Sequence, residues 1–538
     1  MSRNHADLAV TGATVHTLDP HRPVASAVAI REGVVIAVGS DADVRDVCGA
    51  RTRVVDAAGA TLTPGLTDSH LHPVTGTVMT SGLDLSGCGD AAGLRAALGA
   101  ERRRLGPGRW IRGFGLDPNA LDGHRPHRRL IDDVLAGAPA LLTLFDGHAA
   151  LASTRALELA GIGGPLALPG TARIVCDADG SPTGELLEEP AKELVERVAP
   201  EPTAGELADW LGELFARMNA SGLTGGHVMD LRDGSLEALR LLDERDAVTM
   251  RLRLAARCRP GTGEEGMREL IGLQGTGGRL WQVAGVKLFM DGTVDNGTAW
   301  LHHPDCHGES TRPFWLPPET YADAVDTFAR AGVPTATHAI GDAAVAYALD
   351  CLAPHSSPDQ RSARHRIEHV ETIPDSLVPR FARHGIAASM QPSHVQYTLA
   401  DHSDNWSTRL GAIRAGRAFR CADVLRAGAV LALGSDWPIA HFDPREVLAA
   451  AQLRRPPRCP GREPVGPRQA LTAAEALTGM TRAPAVVAGE QHRAGRIREG
   501  CRADLTGFAA DPLLVPAAEL PDVPIRLTVV DGRVVHES

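Results

Sequence analysis

Short apolar runs, each followed by a polar and often helical stretch, recur along the middle of the chain. They cover Leu62 to His72, Leu223 to Met229, Thr249 to Ala256, Val283 to Met290, Val333 to His338, Arg366 to Val370, Ile386 to Gln391 and Val430 to Ser435. Amphipathic segments such as Tyr321 to Ala331 and Ala343 to Leu352 lie between them. Strands that alternate with helices build a parallel sheet, and eight of them is the number that closes a (β/α)8 TIM-like barrel. Such a barrel carries its active site at the C-terminal ends of the strands, so chemistry is expected where each run stops.

The two ends of the chain have a different rhythm. From Asp7 to about Thr61, and again from Arg496 to Val535, brief apolar stretches are separated by turn residues, with Asp531-Gly532 a hairpin signal. Neither end has enough alternating apolar surface to stand alone. One β-sandwich built from 1–61 and 485–538 is therefore expected, with the barrel occupying 62–484. The connection from the first barrel run to the second is far longer than a helix needs, and long connections are functional or form a lobe of their own. Within it Trp110 to Gly115 and Ala140 to Phe145 read as strands and Pro190 to Val198 as a helix. An inserted α/β lobe at about 80–205 is expected to cover the barrel mouth.

Composition narrows the function. The chain has 538 residues and a formal net charge of -11, and it lacks the basic stripe of a nucleic-acid binder. The clusters Arg102 to Arg104 and Arg128-Arg129 are short enough to be solvated surface. Nine cysteines, none in a CxxC pair, fit a reducing cytoplasm with free thiols. The first residues are polar with no signal-peptide core, and no run reaches the roughly 18 to 20 apolar residues of a membrane span. No nucleic-acid or membrane partner is expected.

Candidate chemistry sits at the run ends. The stretch Thr63-Pro64-Gly65-Leu66-Thr67-Asp68-Ser69-His70-Leu71-His72-Pro73 carries two histidines at i and i+2, which share one face of a strand. Among 22 histidines in 538 residues, roughly one such pair arises by chance. The downstream runs strengthen it. Lys287 stands inside an apolar strand, where an ammonium must be paired, snorkel to solvent or be chemically altered. His338 and His369 end two further runs, and Asp436 lies at the tip of the last. Each alone reads as a core or capping residue. Together, in order on one barrel, they read as a metal site. Neutral imidazoles and carboxylates suit zinc, a catalytic site leaves a position for water, and Asp436 is the natural proton carrier.

The chain resembles the amidohydrolase superfamily, and within it the YtcJ-like branch that includes N-substituted formamide deformylases. The markers are TPGLTDSHLHP, WIRGFGLD, DGHAA, GVKLFMDGT, THAIGDAAV, RHRIEHVE, QPSH, GSDWP and GRIREGCRADL, spread from about Asp7 to Val535. The resemblance implies that His70 and His72 bind one metal with Asp436 near it, and that His338 and His369 bind a second. It implies that Lys287 bridges the two as a carbamate. Within the same resemblance, His394 in QPSH is a candidate to polarise a carbonyl. His148 and Asp146 in the insertion, with Trp437 beside the aspartate, are candidates for contact with substrate. Asp291 and Asp342 are expected to support or cap. The polar pair Asp295 and Asn296 stands where small or apolar residues are expected in relatives, near the pocket.

These readings combine into a metal-dependent amidohydrolase with one or two divalent ions, zinc preferred, cleaving a C-N bond of a small N-formyl or N-acyl compound. The alternatives are the same machinery acting on a cyclic amide, carbamate, amidine or ester, a metal-dependent lyase or isomerase, and a non-catalytic regulatory binder. A homodimer is the default assembly.

Overall fold

A computed structural model describes residues 5–121, 123–231 and 234–538. Its centre is an eight-stranded parallel sheet: β1 (Leu66–Leu71), β2 (Leu223–Leu231), β3 (Arg251–Arg257), β4 (Trp281–Phe289), β5 (Thr335–Ala339), β6 (Arg366–His369), β7 (Ala387–Met390) and β8 (Leu431–Leu433). Neighbours in sequence are neighbours in the sheet. The sheet closes where β8 returns to β1, with the Asp436 N–H donating to the His70 carbonyl and the His72 N–H to the Trp437 carbonyl, each at 2.9 Å. β2 is buried at every position, as a parallel strand covered on both faces must be. The helices supply the outer cover. In Glu319–Arg330 the buried residues Tyr321, Ala324, Val325 and Phe328 follow the i, i+3, i+4, i+7 spacing of a single face. No helix among the described residues is long and apolar enough to cross a membrane.

The apolar run from Leu62 to His72 is two strands rather than the one expected. Thr61–Pro64 pairs antiparallel with Leu505–Phe508 and parallel with Thr14–His16, whereas β1 pairs with β2. Pro64 has no N–H with which to extend a ladder. At Gly65, an added Cβ would lie 2.3 Å from the Thr224 hydroxyl, so only glycine lets the chain pass from one sheet into the other.

Both chain ends contribute to the outer sheets. A six-stranded sheet runs Arg533–Glu537, Ile525–Val530, Leu505–Phe508, Thr61–Pro64, Thr14–His16 and Val24–Ala25. A four-stranded sheet holds Val34–Gly39, Ala27–Arg31, Leu8–Thr11 and Arg53–Asp56. Val10, Val28, Leu62, Leu505 and Val529 belong to one core cluster that draws on both sheets.

Between β1 and β2 lies a mixed six-stranded sheet, ordered Arg173–Cys176, Pro182–Leu187, Ala149–Ala152, Ala140–Leu144, Ile111–Leu116 and Leu83–Asp84. The helices Ala91–Leu105 and Glu189–Glu196 accompany it. One adjacent pair of its strands, Ala140–Leu144 and Ile111–Leu116, comes from the runs read at 140–145 and 110–115, while the other strands carry too little apolar pattern to be read in advance.

Candidate metal centre

Each barrel strand hands its last residues to the same small volume. His70 is the last residue but one of β1, and Pro73 then opens the helix Pro73–Thr80 with His72 as its N-cap. Proline suits the first turn of a helix, so the second histidine is fixed at the junction. Register sets the remaining residues side by side: Lys287 lies opposite Arg257, His338 opposite Phe289, and His369 opposite Ala339. Asp436 and His369 both have left-handed backbones, with φ of 60° and 73°. Such conformations in non-glycine residues concentrate at functional sites.

The side chains converge. His70 Nε2 lies 3.2 Å from His72 Nε2, 3.3 Å from Lys287 Nζ and 3.4 Å from Asp436 Oδ1. His72 Nε2 is 3.1 Å from the same oxygen, and His369 Nδ1 is 3.8 Å from Asp436 Oδ2. His70, His369 and Asp436 each offer a ligand atom within 4.8 Å of the others. The His338 ring packs on His369 at 4.4 Å between centroids, and its Nε2 is 3.2 Å from the Gly292 carbonyl.

A cation fits this donor set. Burial first, and then neighbouring Lys287 and histidine charges, pushes His70, His338 and His369 well below the usual imidazole range, leaving neutral rings with lone pairs. Burial alone would raise the Asp436 carboxyl, but His72, His394 and Lys287 beside it hold it below its ordinary value. Among the described residues Asp436 Oδ1 and His394 Nε2 are buried without a hydrogen bond of good geometry, the His72 contact at 3.1 Å included, a cost that a bound ion removes at the carboxylate. Lys287 is fully buried. Desolvation brings its ammonium down to about 8, against the pull of Glu368 and Asp436.

A layer behind the ligands holds them in place. His70 Nδ1 is 2.7 Å from Glu368 Oε2, and the other Glu368 oxygen makes an ion pair at 2.6 Å with Arg366 Nε. Arg366 donates to the Ser69 carbonyl at 2.9 Å and to His227 Nδ1 at 2.8 Å. The Asp68 carboxylate accepts from the His70 and Ser435 N–H groups, tying β1 to the end of β8. Burial pushes that carboxyl up to about 7. His369 Nδ1 meets Gln391 Oε1 at 2.9 Å. The roles of Arg366, Glu368 and Gln391 were not anticipated. The signal was present for two of them, since Arg366 and Glu368 are two apart on a short strand and so face the barrel interior together with charges that need each other.

Residues from the mixed sheet between β1 and β2 reach the same volume. His148 Nδ1 is 2.8 Å from Glu188 Oε2, and its ring lies 5.0 Å from that of His338. Burial opposes its charged form, but Glu188 prevails and raises the imidazole above its ordinary value. Asp146 accepts from the His148 N–H and from the Thr293 hydroxyl, each at 3.0 Å, and from the Asn296 amide. The unusual Asn296 therefore ties the lobe to the loop after β4. A cleft of about 450 Å3 opens over the cluster, with His72, His148, Lys287, Phe289, His338 and Asp436 in its wall. Trp437 is not in that wall, contrary to the expected substrate contact: its indole packs on Gly76, where a Cβ would lie 2.4 Å from the ring, and edge-on against Phe442. His394 lines a smaller recess beyond Asp436, with Nε2 3.7 Å from Asp436 Oδ2 and Nδ1 3.8 Å from Glu371. Asp291 accepts from the Trp300, Ile340 and Gly341 N–H groups and Asp342 from that of His302, so both serve as backbone anchors.

Asp295 is the other unusual residue of the β4 loop, and its carboxylate accepts from the Asn405 amide at 2.9 Å. Burial drives this carboxyl up to about 8 despite that bond, helped by Asp146 and Glu371. The folded chain therefore keeps a proton that an unfolded aspartate releases near pH 4, and stability falls as pH rises from about 4 to about 8. Asp295→Asn is expected to remove that loss. Melting curves from about pH 5 to about pH 9 should show the variant gaining on the wild type as pH rises, and parallel curves would disprove the assignment.

A (β/α)8 barrel whose strand ends gather histidines, a lysine and an aspartate defines a class: a metal-dependent hydrolase of the amidohydrolase superfamily. The model described as the amidohydrolase family matches residues 53–536, and the chain belongs to that family. It is 30% identical over 519 residues to Protein LONG AFTER FAR-RED 3 of Arabidopsis thaliana, covering 93% of this chain and 86% of that one. It is 28% identical over 546 residues to the N-substituted formamide deformylase of Arthrobacter pascens, covering 99% and 98%. Among solved structures, a metal-dependent hydrolase of Pyrococcus horikoshii matches with a TM-score of 0.74 and 25% identity, over 95% of this chain and 99% of that one.

Proposed function

We propose that the protein hydrolyses a C-N bond of a small amide, with an N-formyl or N-acyl amine as substrate. The observation that carries this reading is the convergence of His70, His369 and Asp436 at the barrel mouth, beside a relative named as an N-substituted formamide deformylase. In this reading His70 and His72, with Asp436, would hold one divalent ion, His338 and His369 would hold a second, and Lys287 as its carbamate would add ligand oxygens. Carboxylation converts the Lys287 ammonium and CO2 into a carbamate with release of two protons, and so replaces a buried cation with an anion. Zinc in such a site supplies a water whose pKa falls from about 15.7 towards about 7.

The residues of this chain then divide the proton work. Asp436 takes a proton from the attacking water and returns it to the leaving nitrogen. His394, on the far side of Asp436, polarises the carbonyl and steadies the developing oxyanion. The inserted lobe, through His148 and Asp146, selects the acyl or amine portion.

Metal content per chain tests this first. Elemental mass spectrometry of protein purified without chelator is expected to find about two zinc-like ions, and Lys287→Ala is expected to lose both ions and activity. About one ion, with Lys287→Ala unaffected, would remove Lys287 from the ligand set. Product analysis on an N-formyl amine then separates amide hydrolysis, which yields formate and amine with solvent oxygen in the acid, from lyase or isomerase chemistry. Metal-free protein with no activity on adding metal would sink the hydrolase reading.

A further inference from the structure

At the opposite end of the barrel from the histidine cluster, the starts of β1 to β4 and the segment 481–504 enclose a second cavity of about 520 Å3. Its wall is rich in guanidinium groups, and their charges are balanced at one side only. There Arg251 is held by Asp504 at 2.7 Å and by Asp531 at 3.2 Å, while Arg279 is held by Asp531 at 3.0 Å and Asp246 at 3.3 Å.

At the other side three guanidinium groups share one carboxylate. Arg253, Arg493 and Arg502 lie 3.2, 2.7 and 2.6 Å from the oxygens of Glu490. Glu490 is buried, and the side chains of Arg253 and Arg502 are only 19% and 20% exposed. Arg496 lines the same wall, and its Nε is buried with no hydrogen-bond partner among the described residues. Four guanidinium groups against one carboxylate leave three positive charges uncompensated. Burial lowers the Arg253 guanidinium in spite of Glu490, and Arg502, Arg366 and Arg493 push the same way. His227, also in the wall, is held neutral by burial and by Arg366 and Arg253, so it adds no counter-charge.

Arg493 is half-exposed and Arg496 partly buried, but Arg253 and Arg502 are mostly out of water, where uncompensated positive charge is costly, and guanidinium forks match the oxygens of phosphate and carboxylate two at a time. We infer that this basal cavity binds a small multivalent oxyanion, bearing phosphate groups or several carboxylates. The site is distinct from the hydrolytic centre. The Gly495 to Leu505 run contributes Arg496, Arg502 and Asp504 to its wall, and the proposed chemistry uses neither of those arginines.

The test is isothermal titration of the 538-residue, metal-loaded chain with inorganic phosphate, pyrophosphate and citrate, each at an ionic strength matched by chloride. One saturable site per chain is expected, tighter for the more highly charged anions. Arg493→Gln combined with Arg496→Gln is expected to weaken that binding at least about tenfold. Neither residue is needed to neutralise Glu490, which keeps Arg253 and Arg502, so the double variant is expected to fold and, without anion, to melt no lower than the wild type. Arg496→Gln alone serves as a milder second variant, with weaker binding also expected. Pyrophosphate binding more tightly than citrate would identify a phosphorylated ligand, and the reverse a polycarboxylate. Binding that survives both variants, or no binding beyond that of chloride, would overturn the inference.

Discussion

Asp436→Asn is expected to lower kcat/KM on an N-formyl or N-acyl amine by about a thousandfold or more, because both proton transfers assigned to Asp436 are lost together. Asparagine is the informative replacement. It matches the carboxylate in size, and it tolerates the left-handed backbone at φ 60° that most residues resist. The fold is expected to stay intact, with a melting temperature within a few degrees of the wild type. Alanine there would confound loss of chemistry with backbone strain. A variant that keeps more than about a tenth of wild-type turnover would remove Asp436 from the proton path.

Glu368→Ala carries the largest expected cost to stability. Its carboxylate is fully buried between His70 Nδ1 and the Arg366 guanidinium. Deleting one member of such a buried pair strands the other, at about 3 to 5 kcal/mol. The same deletion frees the His70 ring, and loss of a residue that orients a metal-binding histidine reduces affinity for the ion by about 10- to 100-fold. Denaturant titration and metal competition measure the two effects separately. Replacing Arg366 as well, by methionine, with leucine at 368, is expected to recover most of the stability and none of the metal affinity. Recovery of both would mean that Glu368 acts on the fold alone.

Much of the barrel was legible because most of its strands, β2 above all, are buried along their length and so read as largely apolar runs. All eight expected runs contain a strand, and the expected ligands stand at their ends. What escaped was decided by contacts distant in sequence. Nothing local divides Leu62 to His72, since the division at Gly65 depends on Thr224 and on pairing with Leu505–Phe508. The strands Ala149–Ala152 and Pro182–Leu187 are fully buried yet short and rich in small or polar residues, so their pairing carries what pattern does not. Trp437 was placed by its nearness to Asp436, but both lie beyond β8, where Asp436 has a left-handed backbone and the indole packs on Gly76 and Phe442. Glu368 went unread because a carboxylate inside an apolar strand gains meaning only beside Arg366 and His70.

The sheet shared by both chain ends also sets a timetable. The Thr506 hydroxyl accepts from the Leu66 N–H across 440 residues of sequence. At typical synthesis rates, roughly 20 to 90 s separate the emergence of those two segments from the ribosome. Thr61–Pro64 waits through that interval with one edge open, the edge that Leu505–Phe508 later covers, and an open strand edge recruits foreign strands. A nascent chain stalled before Leu505 is therefore the aggregation-prone species, whereas a circular permutant that joins the last strands to the first would let the sheet form early and should depend less on chaperones.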